Sequence, residues 1–180
     1  MANAGWLSFE IFSAAECDAL LAELHDAAED HATVYGLGKQ PAVHSLARRT
    51  TRLCPSLDTR ERVTRTLESL TQRLSEHFDV PLATAEEPQF LRYTTGDYFV
   101  AHQDGNTPII VDDSRHRRVS LILFLSDRAS YSGGELVFHR SSREVPPATR
   151  GTILAFRSEL THEVTPVTAG ERYTIVTWYR

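Results

Sequence analysis

RYTTGDYFVAHQD, residues 92–104, is the stretch on which the fold of this chain turns. Thr95-Gly96-Asp97 is a turn signal between two apolar-rich segments, so the stretch reads as strand, turn, strand. His102 and Asp104 close the second strand two residues apart, and alternation along a strand directs both side chains to one face of a sheet. His162 stands sixty residues further on, and Arg172 ten residues after that. Two imidazoles and a carboxylate suit a non-haem Fe(II) and leave coordination positions open. The arginine adds a rigid cationic fork that matches a carboxylate.

Around this stretch the back of the chain, from Pro88, consists of short apolar segments between turn residues. QFLRYT, DYFVAHQD, RRVSLILFLS, GELVFHR, GTILAFR, HEVTPV and ERYTIVTWYR are expected as strands. Ser132-Gly133-Gly134, Pro146-Pro147, Arg150-Gly151 and Ala169-Gly170 separate several of them. Gly133 and Gly134 are read as a turn and not as a phosphate cradle, because no helix follows them.

The front half is helical in pattern. Ser13 with Glu16 forms a capping box, and the helix it opens is expected to run through AAECDALLAELHDAAED, residues 14–30. A second helix is expected from near Asp58, with Glu61 three residues on. Its Val63, Leu67, Leu70, Leu74 and Phe78 fall on one face, the pattern of a helix packed on a sheet. Between the helices the segment 31–55 is mixed, with VHSLARRTTRL reading as strand. Many short strands after a helical front give an α+β expectation: a β-sandwich or jelly roll supported by helices on one side. With 180 residues and no repeat or linker, the chain is expected to be one domain, with helical support over about 1–87 and a catalytic core over about 88–180.

Composition excludes several classes. Nineteen basic against twenty-four acidic residues leave a net charge of −5, which favours neither nucleic acid nor an anionic membrane. Cys17 and Cys54 have no CxxC spacing and point to no disulfide framework. The opening MANAGWLSFE lacks a secretory pattern, and the longest apolar run, Leu121 to Leu125, is far short of a membrane span. A soluble cytoplasmic protein is the expectation.

Five segments in order carry a family resemblance: RYTTGDYFVAHQD, RRVSLILFLSD, SGGELVFH, GTILAFRSELTHEVTPV and GERYTIVTWYR. From about Gln89 to Arg180 the chain resembles the double-stranded β-helix core of the Fe(II)- and 2-oxoglutarate-dependent dioxygenases, and within them the prolyl 4-hydroxylase-like branch. The resemblance implies that His102, Asp104 and His162 hold Fe(II). It implies that 2-oxoglutarate and dioxygen take the open positions, with ascorbate as an accessory reductant. Arg172 would pair with the far carboxylate of 2-oxoglutarate. Thr174, two residues along the same strand, would add a hydrogen bond, and Tyr93 matches a position where a tyrosine hydroxyl lies near the cosubstrate. The implied reaction is hydroxylation of an unactivated C–H, with release of succinate and CO2. A prolyl or other amino-acid moiety, in a peptide, a protein or a small molecule, is the implied substrate.

This chain departs from some relatives in carrying Leu123 and Phe124 where they place a further tyrosine. It has Arg172 where collagen-type relatives use lysine, and it keeps Asp104, which halogenating relatives replace by a small residue. Two other classes fit parts of the pattern. A zinc hydrolase has the same donor types but leaves Arg172 and Thr174 without a task. A catalytically silent β-sandwich would have no need of an intact ligand set.

Other residues have plainer readings. His25, His31, His44, His77 and His116 are read as structural, and His139 as a lesser candidate for the pocket wall. Arg48, Arg49 and Arg52 form a basic cluster, read as a solvated face or as a pocket rim able to meet an acidic substrate. Residues 103–118 form a long loop after the first two ligands. With 34–50 and Arg157 at the mouth, it is the expected region of substrate contact. Oligomeric state has no signature in the sequence.

Overall fold

The computed structural model describes residues 5–31, 34–35, 41–42 and 47–180. In chain order the front half contains β1 (Trp6–Glu10), α1 (Ala14–His25), β2 (Ala28–His31), β3 (Val34–Tyr35), β4 (Pro41–Ala42), β5 (Arg48–Arg49) and β6 (Thr51–Cys54). Then come α2 (Leu57–Glu68), α3 (Thr71–Phe78), β7 (Gln89–Tyr93), β8 (Tyr98–His102) and β9 (Val119–Phe124). The chain closes with β10 (Tyr131–Gly133), β11 (Leu136–His139), β12 (Arg143–Glu144), β13 (Thr152–Arg157), β14 (His162–Val164), β15 (Val167–Gly170) and β16 (Arg172–Tyr179).

Two antiparallel sheets organise most of these strands as a double-stranded β-helix, while β10 pairs with β15 and β3 with β4. The larger runs β1-β13-β9-β16-β7-β6-β2, and the smaller β12-β11-β14-β8-β5. Period-two alternation in the larger sheet separates two cores. Val119, Leu121, Leu123, Ile153, Ala155, Tyr173, Ile175 and Tyr179 face the helices and pack with Leu20, Leu24, Val63, Leu67, Leu74 and Phe78. Ile122, Phe124, Leu154 and Phe156 face the other way, against Phe138, Leu136 and Val164 of the smaller sheet. Each fully buried leucine or phenylalanine contributes about 1.5–3 kcal/mol, so both faces of the larger sheet are strongly held.

The helical front differs from its sequence expectation in three places. The Ser13–Glu16 capping box is present, but α1 ends at His25, and residues 28–31 form a strand paired with β6. Pairing satisfies the backbone at the sheet edge, and this overrides the helical propensity of DAAED. The second helix starts at Leu57 with Ser56 as its cap, whose hydroxyl accepts from the Thr59 amide. It breaks at Ser69–Leu70 into α2 and α3, and the apolar stripe continues across the break with Val63, Leu67, Leu74 and Phe78 buried. Of VHSLARRTTRL, residues 43–46 lie outside the described set, and the rest supplies β5 to the smaller sheet and β6 to the larger.

HEVTPV, expected as one strand, is two. β14 joins the smaller sheet, whereas β15 after Pro166 pairs only with β10. Proline has no N–H to continue a ladder, so the strand ends there. No helix among the described residues is long and apolar enough to cross a membrane.

Candidate metal centre and its anion pocket

The turn inside RYTTGDYFVAHQD takes the chain from the larger sheet to the smaller one. Gly96 sits at φ +88°, the Asp97 amide closes the turn on the Thr94 carbonyl, and the Asp97 carboxylate accepts from the Thr94 amide at 2.9 Å. β8 then pairs with β14, so that His102 lies directly opposite His162.

The ladder between them is irregular. His162 pairs with His102 but Val164 with Phe99, so three steps on β8 oppose two on β14. This bulge brings Phe99 and His102 to the same side despite their odd spacing, and leaves Val100 and Ala101 exposed. The two rings stack, with centroids 3.5 Å apart and planes 15° from parallel.

Asp104 reaches the same place by another route. The expectation of His102 and Asp104 alternating on one strand is corrected here: β8 ends at His102. The Asp104 and Gly105 amides instead donate to the Ser158 carbonyl at 2.9 and 3.2 Å, tying the following loop to the end of β13. Ladder pairing stops because β14 begins at His162, so Asp104 has no strand partner.

Donor atoms of His102, Asp104 and His162 all lie within 4.8 Å of one another, and no other such cluster occurs among the described residues. Nε2 of His102 is 3.4 Å from one Asp104 oxygen, and Nε2 of His162 is 3.5 Å from the other. Each ring gives its Nδ1–H to a backbone carbonyl, His102 to Val100 at 2.8 Å and His162 to Leu160 at 2.9 Å. A carbonyl only accepts, so the proton is on Nδ1 and both Nε2 lone pairs are free for a cation. The Asp104 carboxylate accepts from the Ser120 hydroxyl at 2.7 Å, which contacts Ser158 Oγ at 3.0 Å.

Burial favours a neutral Asp104, but the imidazoles of His162 and His102 and the Ser120 hydroxyl more than reverse this and hold the carboxyl well below its usual range. Burial pushes the His162 imidazole down to about 4, against the opposing pull of Asp104. An anionic carboxylate beside a neutral imidazole is the state that takes up a divalent cation.

Arg172 and Thr174 sit on the inner face of β16, and Arg172 lies opposite Tyr93 in register. Arg172 is 2% exposed, and its Nε and one terminal nitrogen have no hydrogen-bond partner. The other terminal nitrogen is 3.5 Å from the Thr174 hydroxyl. The guanidinium lies 5.1 Å from the Tyr93 ring centre and 5.7 Å from that of Phe124. Phe124 thus occupies the inner position on β9, while Leu123 faces the helices. A buried cation with unpaired donors is costly unless an anion completes it. The unpaired guanidinium fits the carboxylate of a bound anion.

The cleft beside the triad is walled by Leu91, Tyr93, Phe99, Ile122, Leu136, Val164, Val176 and Trp178, with Arg48 at its side. Ser120, Phe99 and Trp178 were not among the sequence candidates. Ser120 left one signal, a hydroxyl inside the apolar run VSLILF. Phe99 left none, because strict alternation places it opposite His102.

Other expectations are redistributed. His139 lies outside the cleft and faces Glu163 at 3.5 Å. Arg157 does not reach the cleft mouth; it donates to the Phe78 carbonyl at the end of α3 and lines a separate hollow. In the 103–118 loop only Asp104 lines the cleft, although Arg117 braces Trp178, with its guanidinium 3.7 Å from that ring and paired with Glu86. His25 contacts the Tyr173 hydroxyl and the His77 ring contacts Phe78, both remote from the triad. His116 accepts from the Arg115 side chain. His44 and the side chains of residues 31–46 lie outside the described set.

The family model of the 2OG-Fe(II) oxygenase superfamily matches residues 88–180. The chain belongs to this superfamily. Fe(II), 2-oxoglutarate and dioxygen are the reagents of the family. The chain is 36% identical over 92 residues to a PKHD-type hydroxylase of Shewanella oneidensis, covering 51% of this chain and 41% of that one. A PKHD-type hydroxylase of Cupriavidus pinatubonensis is 37% identical over 94 residues, with the same coverage. The match thus spans less than half the length of these relatives.

In fold, the chain is similar to a Pseudomonas putida prolyl-4-hydroxylase, with a TM-score of 0.73 at 21% identity, covering 99% of this chain and 94% of that one. It is also similar to a Trichoplax adhaerens prolyl hydroxylase in complex with a peptide fragment of the hypoxia inducible factor oxygen degradation domain. There the TM-score is 0.72 at 17% identity, covering 97% and 83%. The oxygenase fold expected from the five segments is therefore the fold observed.

Proposed function

We propose that this chain, as a single oxygenase domain, is an Fe(II)- and 2-oxoglutarate-dependent hydroxylase of a prolyl or other amino-acid moiety, acting in the cytoplasm with ascorbate as reductant. One observation carries the reading: three converging metal donors line a cleft with Tyr93, whose ring lies 5.1 Å from a buried arginine guanidinium with unpaired donors.

His102, Asp104 and His162 would hold the iron, the two imidazoles through Nε2. When bound, iron, dioxygen and 2-oxoglutarate supply the oxidation, in which one oxygen atom enters the substrate C–H and the other enters succinate as CO2 leaves. Arg172 would fork onto the far carboxylate of the cosubstrate, with Thr174 beside it. Tyr93 lines the cleft with its ring 5.1 Å from the Arg172 guanidinium, and its hydroxyl would donate to the cosubstrate. Ser120 orients the Asp104 carboxylate through its hydroxyl, beside the imidazoles of His162 and His102 that hold it ionised. Leu91, Ile122, Leu136, Val164 and Val176 limit water at the reacting centre.

The relatives' names and the peptide held by the Trichoplax neighbour support a peptidyl or small-molecule substrate. Succinate release that requires 2-oxoglutarate, Fe(II) and oxygen together is the expected result. If the Fe(II)-loaded protein neither binds 2-oxoglutarate nor develops a metal-to-ligand charge-transfer band, the reading is wrong.

A further inference from the structure

We infer that Arg48 selects a substrate carrying a carboxylate close to the carbon that is oxidised. This rests on the hydroxylase reading and names the chemistry of its substrate. The basic cluster of the sequence divides in the structure. Arg49 pairs with the buried Asp97 carboxylate at 3.1 Å, whereas Arg48 lines the cleft itself. The Arg48 guanidinium lies 4.9 Å from the centre of the Phe99 ring, and that ring stacks on His102. Arg48 is therefore one aromatic ring away from a metal donor.

Its Nε is buried without a hydrogen-bond partner, and among the described residues no carboxylate pairs with it. The stretch HATVYGLGKQPAVHSLA, residues 31–47, contains two histidines but no Asp or Glu. Charge balance gives the direction. The iron dication and Arg172 are matched by Asp104 and the dianionic cosubstrate, so the loaded cleft is left with the charge of Arg48. A cation on an apolar wall is completed by an anion, and a guanidinium held over an aromatic face is oriented for a carboxylate. Trp178 and Ile122 offer the apolar surface for the rest of the substrate.

Two sources of the carboxylate are distinguished by two substrate pairs. N-acetyl-L-proline against N-acetyl-L-prolinamide tests a carboxylate on the reacting residue. End-blocked peptides with Asp or Asn beside proline test one on a neighbour. In the wild type, one acid member is expected to exceed its amide by about 10- to 100-fold in kcat/KM, mainly through KM, as for a lost charge-assisted hydrogen bond. Arg48→Gln should remove that preference, Arg48→Lys should restore part of it, and the KM for 2-oxoglutarate should stay unchanged in both. Quenching of Trp178 fluorescence by the same compounds, with Mn(II) and 2-oxoglutarate bound, should show the same order of affinity without turnover.

Absence of acid preference in both wild-type pairs, or its persistence in Arg48→Gln, overturns the inference. So does a shift in the KM for 2-oxoglutarate, which would make Arg48 a cosubstrate residue. Slow succinate formation without substrate is the control: its presence upholds the hydroxylase reading even where the carboxylate preference fails, and its absence removes that reading first.

Discussion

Phe99 and His102 stack face to face, 3.5 Å between ring centres, although they stand three positions apart along a strand. The β-bulge between them makes this contact, because it turns both side chains to the inner face. Together with the Nδ1 bond to Val100, the stack fixes the plane in which His102 offers Nε2.

Phe99→Ala should leave the fold intact and weaken Fe(II) binding about tenfold, the lower end of what outer-shell partners of metal ligands are worth. Titration of the purified variant with Fe(II) under anaerobic conditions reads this directly. Unchanged affinity would mean the Val100 carbonyl alone orients the ring.

Ser120→Ala removes the hydroxyl donor to Asp104. A drop in Fe(II) affinity of about 10- to 100-fold is expected, with the KM for 2-oxoglutarate little affected at saturating iron. Ser120→Thr, which keeps the hydroxyl, should recover part of the loss.

Arg172→Met separates stability from function. The unliganded protein buries a guanidinium with two unpaired nitrogens, and an apolar side chain of similar length removes that cost. The variant should melt at the same or a higher temperature than wild type without ligand. It should show none of the thermal stabilisation that 2-oxoglutarate and metal give the wild type. Retained stabilisation by 2-oxoglutarate would place the anion clamp elsewhere.

Gly134→Ala tests the roof over that arginine. Gly134 has φ +59°, and a Cβ there would lie 3.0 Å from Arg172 Cδ and 2.9 Å from Val167 Cγ2. Backbone strain should cost about 1–3 kcal/mol in urea denaturation. The crowded arginine should raise the KM for 2-oxoglutarate several-fold, an effect a purely structural glycine would not produce.

Alkaline pH should destabilise the protein through two tyrosines. Burial, with the Glu171 carboxylate beside it, pushes the Tyr173 hydroxyl up to about 12, and burial also raises Tyr179, whose hydroxyl donates to the Leu67 carbonyl at 2.7 Å. Above pH ~10 the unfolded chain gives up phenolic protons that the folded chain keeps. The unfolded state then binds fewer protons, so stability is full below that pH and falls from about 10 to 12. The slope should approach 1.4 kcal/mol per pH unit, at most, for each group in urea denaturation, and Tyr173→Phe should reduce it.

The sequence was most legible where a single strand decides the outcome. In β16 the alternation of Arg172, Thr174 and Val176 against Tyr173, Ile175 and Thr177 already separates a site face from a helix-packed face, and the structure keeps that division. It was least legible where strands meet. HEVTPV divides between two sheets, and β2 replaces the last turn expected of the first helix. Nothing within residues 26–31 announces the partner strand β6, twenty or more residues away.

Residue identities alone carry the donor types, their order along the chain and the oxygenase family they belong to. They also determine that a cationic fork follows His162 on an apolar strand. Tertiary structure decided how these groups meet: the bulge that turns Phe99 onto His102, the Ser158 carbonyl that carries Asp104 in from a loop, and the pairing of β5 with β8 that sets Arg48 in the cleft. The physical reason is that side-chain type and period two are local properties of a strand. Register and irregularity belong to pairs of strands, here joining residues as far apart as His102 and His162.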